Sequence, residues 1–294
     1  MQRQAGTQFD PDIVQHLVNL IHGSSPAESP ATVTQSALVE IPARRVAASS
    51  PETLEVQELV DRAWSLRKSD SMTGAELAHR AITLARHGTD ERVLGLAHRT
   101  QGFYCLVAGE YEDALAHLTQ GQDIGVRLDD PGLQADCANF IAAVYNNLQD
   151  YAKATDQLSV ALRIARDHKD RLREALLLHN LGTLSYRNRD LLQAQQFVQE
   201  SLELFRSLDV LHGQEDALNT LATIAFDLNQ IELCAQAAEQ AVALARETGN
   251  LPTMNLGLAM TGKAAARLGD VERGTRLLRE AIEQSVAANL SANE

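Results

Sequence analysis

The stretch His179-Asn180-Leu181-Gly182-Thr183-Leu184-Ser185-Tyr186-Arg187-Asn188-Arg189-Asp190-Leu191-Leu192-Gln193-Ala194 contains the plan of the whole chain. Apolar residues at helical spacing run up to a short polar break, Asn188-Arg189-Asp190, and resume after it, so the segment reads as two helices meeting at a turn. Asp190 suits the start of the second helix, where a carboxylate accepts unpaired backbone N–H groups and faces the positive end of the dipole. Displaced by 40 positions, the sequence matches itself without a gap. Ala194 belongs to a column of small residues, Gly74, Ala114, Ala154, Ala194, Cys234 and Gly274. Asp190 belongs to a polar one, Asp70, Glu110, Asp150, Asp190, Gln230 and Asp270. A second small column reads Ala81, Gly121, Ala161, Ser201, Ala241 and Ala281. Small residues in two columns let paired helices approach closely. Six units of about forty residues follow, near 55–94, 95–134, 135–174, 175–214, 215–254 and 255–294. Longer loops, Asp129-Asp130-Pro131-Gly132 and Thr248-Gly249-Asn250-Leu251-Pro252, are expected to separate units.

Composition agrees with helix. Only 4% of the 294 residues are aromatic and 7 are proline, too few for the usual sandwich or barrel. A net charge of −13 without a basic run argues against a nucleic-acid partner and against docking to anionic lipid. No apolar stretch is long enough to span a bilayer as a helix, and Met1 to Asp10 lacks the core of a secretory signal. Cys105, Cys137 and Cys234 form no CxxC pair, a pattern that suits a reducing cytoplasm. Phosphate-loop, dinucleotide, HExxH and GxSxG motifs are all missing, and the histidines are scattered. The expectation is therefore no enzyme, no cofactor and no metal.

His179-Asn180-Leu181-Gly182 followed by Ala194, and Gly109-Glu110-Tyr111 followed by Ala114, resemble the tetratricopeptide repeat (TPR) consensus. The forty-residue unit is similar to the long-repeat variety of kinesin light chains, G-protein adaptors and bacterial peptide-sensing regulators. The resemblance implies an all-α, right-handed superhelical solenoid of about six helix-turn-helix repeats over residues 51–294, whose first helices line a concave groove. It further implies a protein-interaction scaffold that holds an extended peptide or partner segment, or alternatively a sensory or regulatory module controlling an output domain. In the resembled families, inward asparagines hold the ligand backbone.

The repeat register nominates the groove: Arg99, Phe103, Asn139, Asn146, Asn147, His179, Asn180, Tyr186, Arg187, Asn219, Thr223, Phe226 and Asp227. Asparagine offers both a donor and an acceptor to a peptide backbone. It is also a mediocre helix former, so five on one face call for a reason. The alternative is that they join neighbouring helices or are merely solvated. Trp64 reads as core.

Residues 1–50 stand outside the repeat as an extension, with a short amphipathic helix over 11–22, capped by Asp10 and Pro11, and a Ser/Ala/Pro-rich tether over 24–50. At the other end nothing obvious covers Leu277, Leu278 and Ile282, which suggests a following domain or a homodimer through the C-terminal end.

Overall fold

A computed structural model describes residues 51–67, 69–85 and 90–291; the extension with its 11–22 helix and 24–50 tether lies outside them. The described residues form twelve helices: α1 Pro51–Leu66, α2 Ser71–Ala85, α3 Glu91–Ala108, α4 Tyr111–Arg127, α5 Pro131–Asn147, α6 Tyr151–Asp167, α7 Arg171–Arg187, α8 Leu191–Ser207, α9 Leu211–Asp227, α10 Ile231–Thr248, α11 Leu251–Arg267 and α12 Val271–Ser291. No strand occurs among them. Each helix packs on the next in the chain. Odd-numbered helices also approach the following odd-numbered helix, as α3 does α5 and α9 does α11, which places them on the inner side of the curve. The exception is α5 and α7, whose backbones stand farther apart.

The helix-to-helix turn recurs every 20 residues, half the period visible in the sequence. Backbone φ is positive at Gly109, Asp129, Gln149, Lys169, Arg189, Asp209, Asn229, Gly249 and Gly269. At Arg189 the pattern is complete: the Arg189 N–H donates to the Tyr186 carbonyl at 3.0 Å and the Asp190 N–H to the Ser185 carbonyl at 2.9 Å. This is the Schellman closure of one helix, and its last residue starts the next. The segments after α4 and α10 use the same left-handed turn residue at Asp129 and Gly249, so the longer loops expected there are absent. Pro131 and Pro252 mislead because proline here opens a helix, where its missing N–H costs nothing.

Asp70, Asp150, Asp190 and Asp270 each accept the backbone N–H three residues on, at 3.0–3.2 Å. Glu110 and Gln230, in the same column, make no such side-chain bond. Their extra methylene carries the oxygen past the N–H groups.

The small columns are buried where paired helices touch: Ala114, Ala154, Ala194, Cys234, Ala161 and Ala241 are fully enclosed. A Cβ added at Gly182 would stand 2.4 Å from the Val198 side chain, and one at Gly274 2.7 Å from the Gly262 carbonyl oxygen. Ser201, the polar member of the second column, donates to the Ala175 carbonyl at 2.7 Å. Close approach leaves no room for a larger residue.

Candidate functional site

The inner face differs along its length. Toward α1 it is filled by the protein's own side chains. The Trp64 ring lies 5.5 Å from Phe103 and 6.0 Å from Phe140, edge-on to both, and the guanidinium carbon of Arg99 sits 4.0 Å from the Trp64 centroid. Phe103 and Arg99 are therefore buried and do not face a ligand channel. Arg99 donates to Asp136 at 3.2 Å, and Arg173 donates from Nε to the other Asp136 oxygen at 2.9 Å. Arg173 also pairs with Asp170. Burial alone would lower the Arg173 pKa, but the Asp136 and Asp170 carboxylates outweigh it and hold it above its ordinary value. This network ties α3, α5 and α7 together where the last two are widest apart.

From α5 onward the inner side chains pair with the next repeat. Asn180 donates to Asn139 at 2.8 Å, the His179 ring nitrogen Nε2 meets the Thr220 hydroxyl at 3.0 Å, and Tyr186 donates to Asp227 at 2.7 Å. Asn219 donates to the Thr253 carbonyl at 3.1 Å. His179 and Asn219 are buried by these contacts, so their place in the predicted groove is corrected to a link between units. The Thr220 hydroxyl donates to the Asp216 carbonyl at 2.9 Å, which leaves His179 to act as the donor through Nε2–H. Burial pulls its pKa down to about 4, consistent with a neutral ring. Burial, reinforced by Asp227, pushes Tyr186 up to about 12.

Of the remaining expected residues, Asn139, Asn146, Asn147, Asn180, Tyr186, Thr223 and Phe226 are partly exposed, and Arg187 and Asp227 are exposed. Thr183, Thr220 and Lys263 join them on this face. Thr223 spends its hydroxyl on the Asn219 carbonyl of its own helix, and Arg267 lies 5.6 Å from the Phe226 ring. The Asn146 carbonyl oxygen Oδ1 is buried and has no hydrogen-bond partner. The amide oxygens of Gln101, Gln157, Asn219, Asn255 and Gln284 share that condition, but among these Asn146 is the one beside the partly exposed Asn147 and the exposed Arg187 of the inner face.

Two features escaped the sequence reading. One is the Trp64–Arg99–Asp136–Arg173 chain. Complementary polar residues spaced 37 positions apart, Arg99/Asp136 and Asp136/Arg173, were its available signal. The other is a hollow of about 350 Å³ on the far side, between α8 and α10, with Leu202, Leu218 and Leu221 at its base and Gln199, Glu203 and Gln240 around it. Its residues are drawn from three helices, so no local pattern announces it. Among the described residues no group of three or more His, Cys, Asp or Glu side chains could hold a metal ion, and no helix is long and apolar enough to cross a membrane. All three thiols are buried.

Paired helices, recurrent turns and an inner face lined by the first helices define a TPR solenoid. Residues 98–188 and 183–263 match the family model for anaphase-promoting complex subunit 5, a TPR-like repeat family, and the chain belongs to that family. No curated protein matches the sequence. Solved structures share the fold at low identity. BtubC (BKLC) from P. vanneervenii is 16% identical, with a TM-score of 0.63 over 83% of this chain and 93% of that one. A STAND protein with a TPR sensor from Pyrococcus horikoshii is 14% identical, with a TM-score of 0.67 over 82% of this chain and 38% of that one. A Rap protein complexed with competence and sporulation factor is 14% identical, with a TM-score of 0.61 over 80% and 76%.

Proposed function

We propose that this chain is a non-catalytic protein-interaction module that takes an extended segment of a partner along the exposed inner residues of α5, α7, α9 and α11. The observation that carries this reading is Asn146, whose buried Oδ1 lacks a protein partner on the stretch where Asn147, Thr183, Arg187, Thr223 and Lys263 remain accessible. A peptide N–H would satisfy that acceptor, and the flanking amides and cations would offer donors. The Rap protein complexed with competence and sporulation factor is a precedent for a partner on this fold. Arg99, Phe103, His179 and Asn219 drop out of the contact set because they are buried.

A random peptide library displayed on phage, panned against the full chain, tests the proposal. Binders should be recovered and should lose at least tenfold in affinity when Asn146, Asn147 and Lys263 are changed together to Ala, with circular dichroism unchanged. Recovery of no binder, or of binders indifferent to the triple change, would sink it.

A regulatory reading, in which occupancy controls an attached output domain, draws support from the STAND protein, whose TPR region serves as its sensor. It requires hydrogen-exchange protection to change beyond the contact helices when a recovered peptide is added. Protection confined to those helices would count against it.

A further inference from the structure

We propose that His98 on α3 and His117 on α4, together with the side-chain oxygen of Gln101, form a binding site for a divalent transition-metal ion of the zinc, copper or nickel class.

The repeat register shows how unusual these residues are where they stand. His98 and His117 occupy the positions that carry Leu178 with Phe197, Leu218 with Ala237 and Leu258 with Leu277 in the fourth, fifth and sixth units. Leu178, Leu218 and Leu258 are buried where α7, α9 and α11 meet their following helices. Gln101 occupies the position of Ile141, Leu181 and Leu221 in the third to fifth units, all buried as well. The second unit has therefore exchanged three packing residues for nitrogen and oxygen donors along one helix seam. Polar groups in such a place cost stability unless they are satisfied.

The spacing of the two rings fits a shared ion. Nδ1 of His98 and Nδ1 of His117 stand 3.0 Å apart, with ring centroids 5.2 Å apart. Two imidazole nitrogens bound at about 2.1 Å to one ion, roughly 90–110° apart, are themselves about 3.0–3.4 Å apart. The rings meet nearly head-on, so one must tilt before both lone pairs converge. His98 is 9% exposed and held, whereas His117 is partly exposed and has room to turn. With both rings neutral, one Nδ1 carries the proton of the hydrogen bond and the other accepts it. On binding, the donor ring carries its proton on Nε2 instead, and the ion takes the place between the two Nδ1 atoms.

A third donor lies on the same seam. Gln101 follows His98 by three residues and so shares its face of α3. Its Nε2 donates to Cys105 Sγ at 3.6 Å, while its Oε1 is buried with no hydrogen-bond partner. An acceptor in that state is a place for a cation or a donor to fill. Two imidazoles select the class of ion, since Zn²⁺, Cu²⁺ and Ni²⁺ suit nitrogen ligands and Mg²⁺ and Ca²⁺ call for oxygen. Water reaching the exposed side of His117 would complete the shell. Such an ion would staple α3 to α4 in the second unit.

The test uses the full chain carrying no affinity tag. ZnCl₂, NiCl₂ and CuCl₂ are titrated in by calorimetry, with MgCl₂ as reference. A saturable site for one ion per chain is expected with the first three and not with Mg²⁺. His98→Leu combined with His117→Phe rebuilds the seam as Leu178 and Phe197 have it, so this variant should fold and yet bind at least tenfold more weakly. His117→Ala, at a partly exposed position, repeats the comparison with the core untouched. Pulsed EPR of the Cu²⁺ complex should report two imidazole nitrogens in the parent chain and one in His117→Ala. Gln101→Leu should weaken binding at least threefold with both nitrogens retained. No saturable binding, equal binding in the rebuilt seam, or a Cu²⁺ spectrum with fewer than two imidazole nitrogens overturns the site. Binding unchanged in Gln101→Leu overturns the oxygen ligand.

Discussion

Asn180 donates through Nδ2 to Oδ1 of Asn139 at 2.8 Å, and the two lie 41 positions apart, one repeat plus one residue. The same offset joins His179 to Thr220 and Tyr186 to Asp227. These pairs join consecutive repeats: His179 is buried by its contact, while Asn139, Asn180, Tyr186 and Asp227 remain partly or fully exposed on the inner face. A partly buried amide pair is expected to contribute about 0.5–1.5 kcal/mol. A double-mutant cycle on Asn139→Ala and Asn180→Ala, read by urea unfolding, should return a coupling in that range. A coupling of zero would mean the bond is not formed in solution.

Asp136 separates two guanidiniums that would otherwise meet in a largely buried site. Asp136→Asn removes the charge while preserving shape and is expected to destabilise the chain by roughly 3–5 kcal/mol, the usual effect of stranding a buried charge. Denaturant midpoints measure it. A loss under about 1 kcal/mol would mean that water already screens the arginines.

His179 gives the protein an acid sensitivity whose sign is fixed by its burial. Its ordinary pKa of 6.5 falls to about 4 in the fold. At neutral pH both folded and unfolded chains carry the neutral ring, and stability is undiminished. Between pH 6.5 and about 4 only the unfolded chain takes up the proton, so stability falls by about 1.4 kcal/mol per unit, roughly 3 kcal/mol in all. His179→Gln should be the less stable at neutral pH, through the altered bond to Thr220, but should lose this part of the slope. Unfolding curves of both proteins across the window provide the comparison, and parallel slopes would refute the assignment.

Six of the nine left-handed turn positions hold residues with a side chain, among them Gln149 and Arg189 at φ of 60° and 66°. A non-glycine residue there costs about 1 kcal/mol. Gln149→Gly and Arg189→Gly are each expected to raise stability by up to about 1 kcal/mol, less whatever the freer unfolded chain takes back. Gly109→Ala, at φ 80°, should lower it by a similar amount. Thermal melts of the three variants check both signs.

Gly274 faces backbone. An added Cβ would lie 2.7 Å from the Gly262 carbonyl oxygen and 3.1 Å from Ala266 Cβ, with no flexible side chain to yield. Gly274→Ala should cost about 1–3 kcal/mol by forcing α11 and α12 apart. Gly132→Ala makes the control, since its nearest neighbours begin at 3.3 Å on a side chain.

Much of the fold was legible because it is written in short-range terms. Asp150 and Asp190 cap the helices they precede, and Ala154 and Ala194 sit where helices cross, each recoverable from its own neighbourhood and its copy forty residues away. The half-period of the turns was harder to see. The left-handed position accepts Asp, Gln, Lys, Arg, Asn or Gly, and no residue type marks it. The site was legible only in part. Spacing placed Asn146, Asn147, Arg187 and Phe226 in inward columns, where they are at least partly exposed, but it could not tell Asn139 from His179 and Asn219, which share its column and are buried.

The sequence by itself determined the helix pair, its repetition, the caps and the small-residue crossings, because helix periodicity, capping and close packing act over a few residues and then repeat. Only the tertiary structure decided which inner residues meet a partner. That depends on the curvature that brings Trp64 against Phe140 two first helices away, and on the offset that sets Asn180 against Asn139. Curvature is the sum of many small packing rotations between repeats, and no single column of residues encodes it.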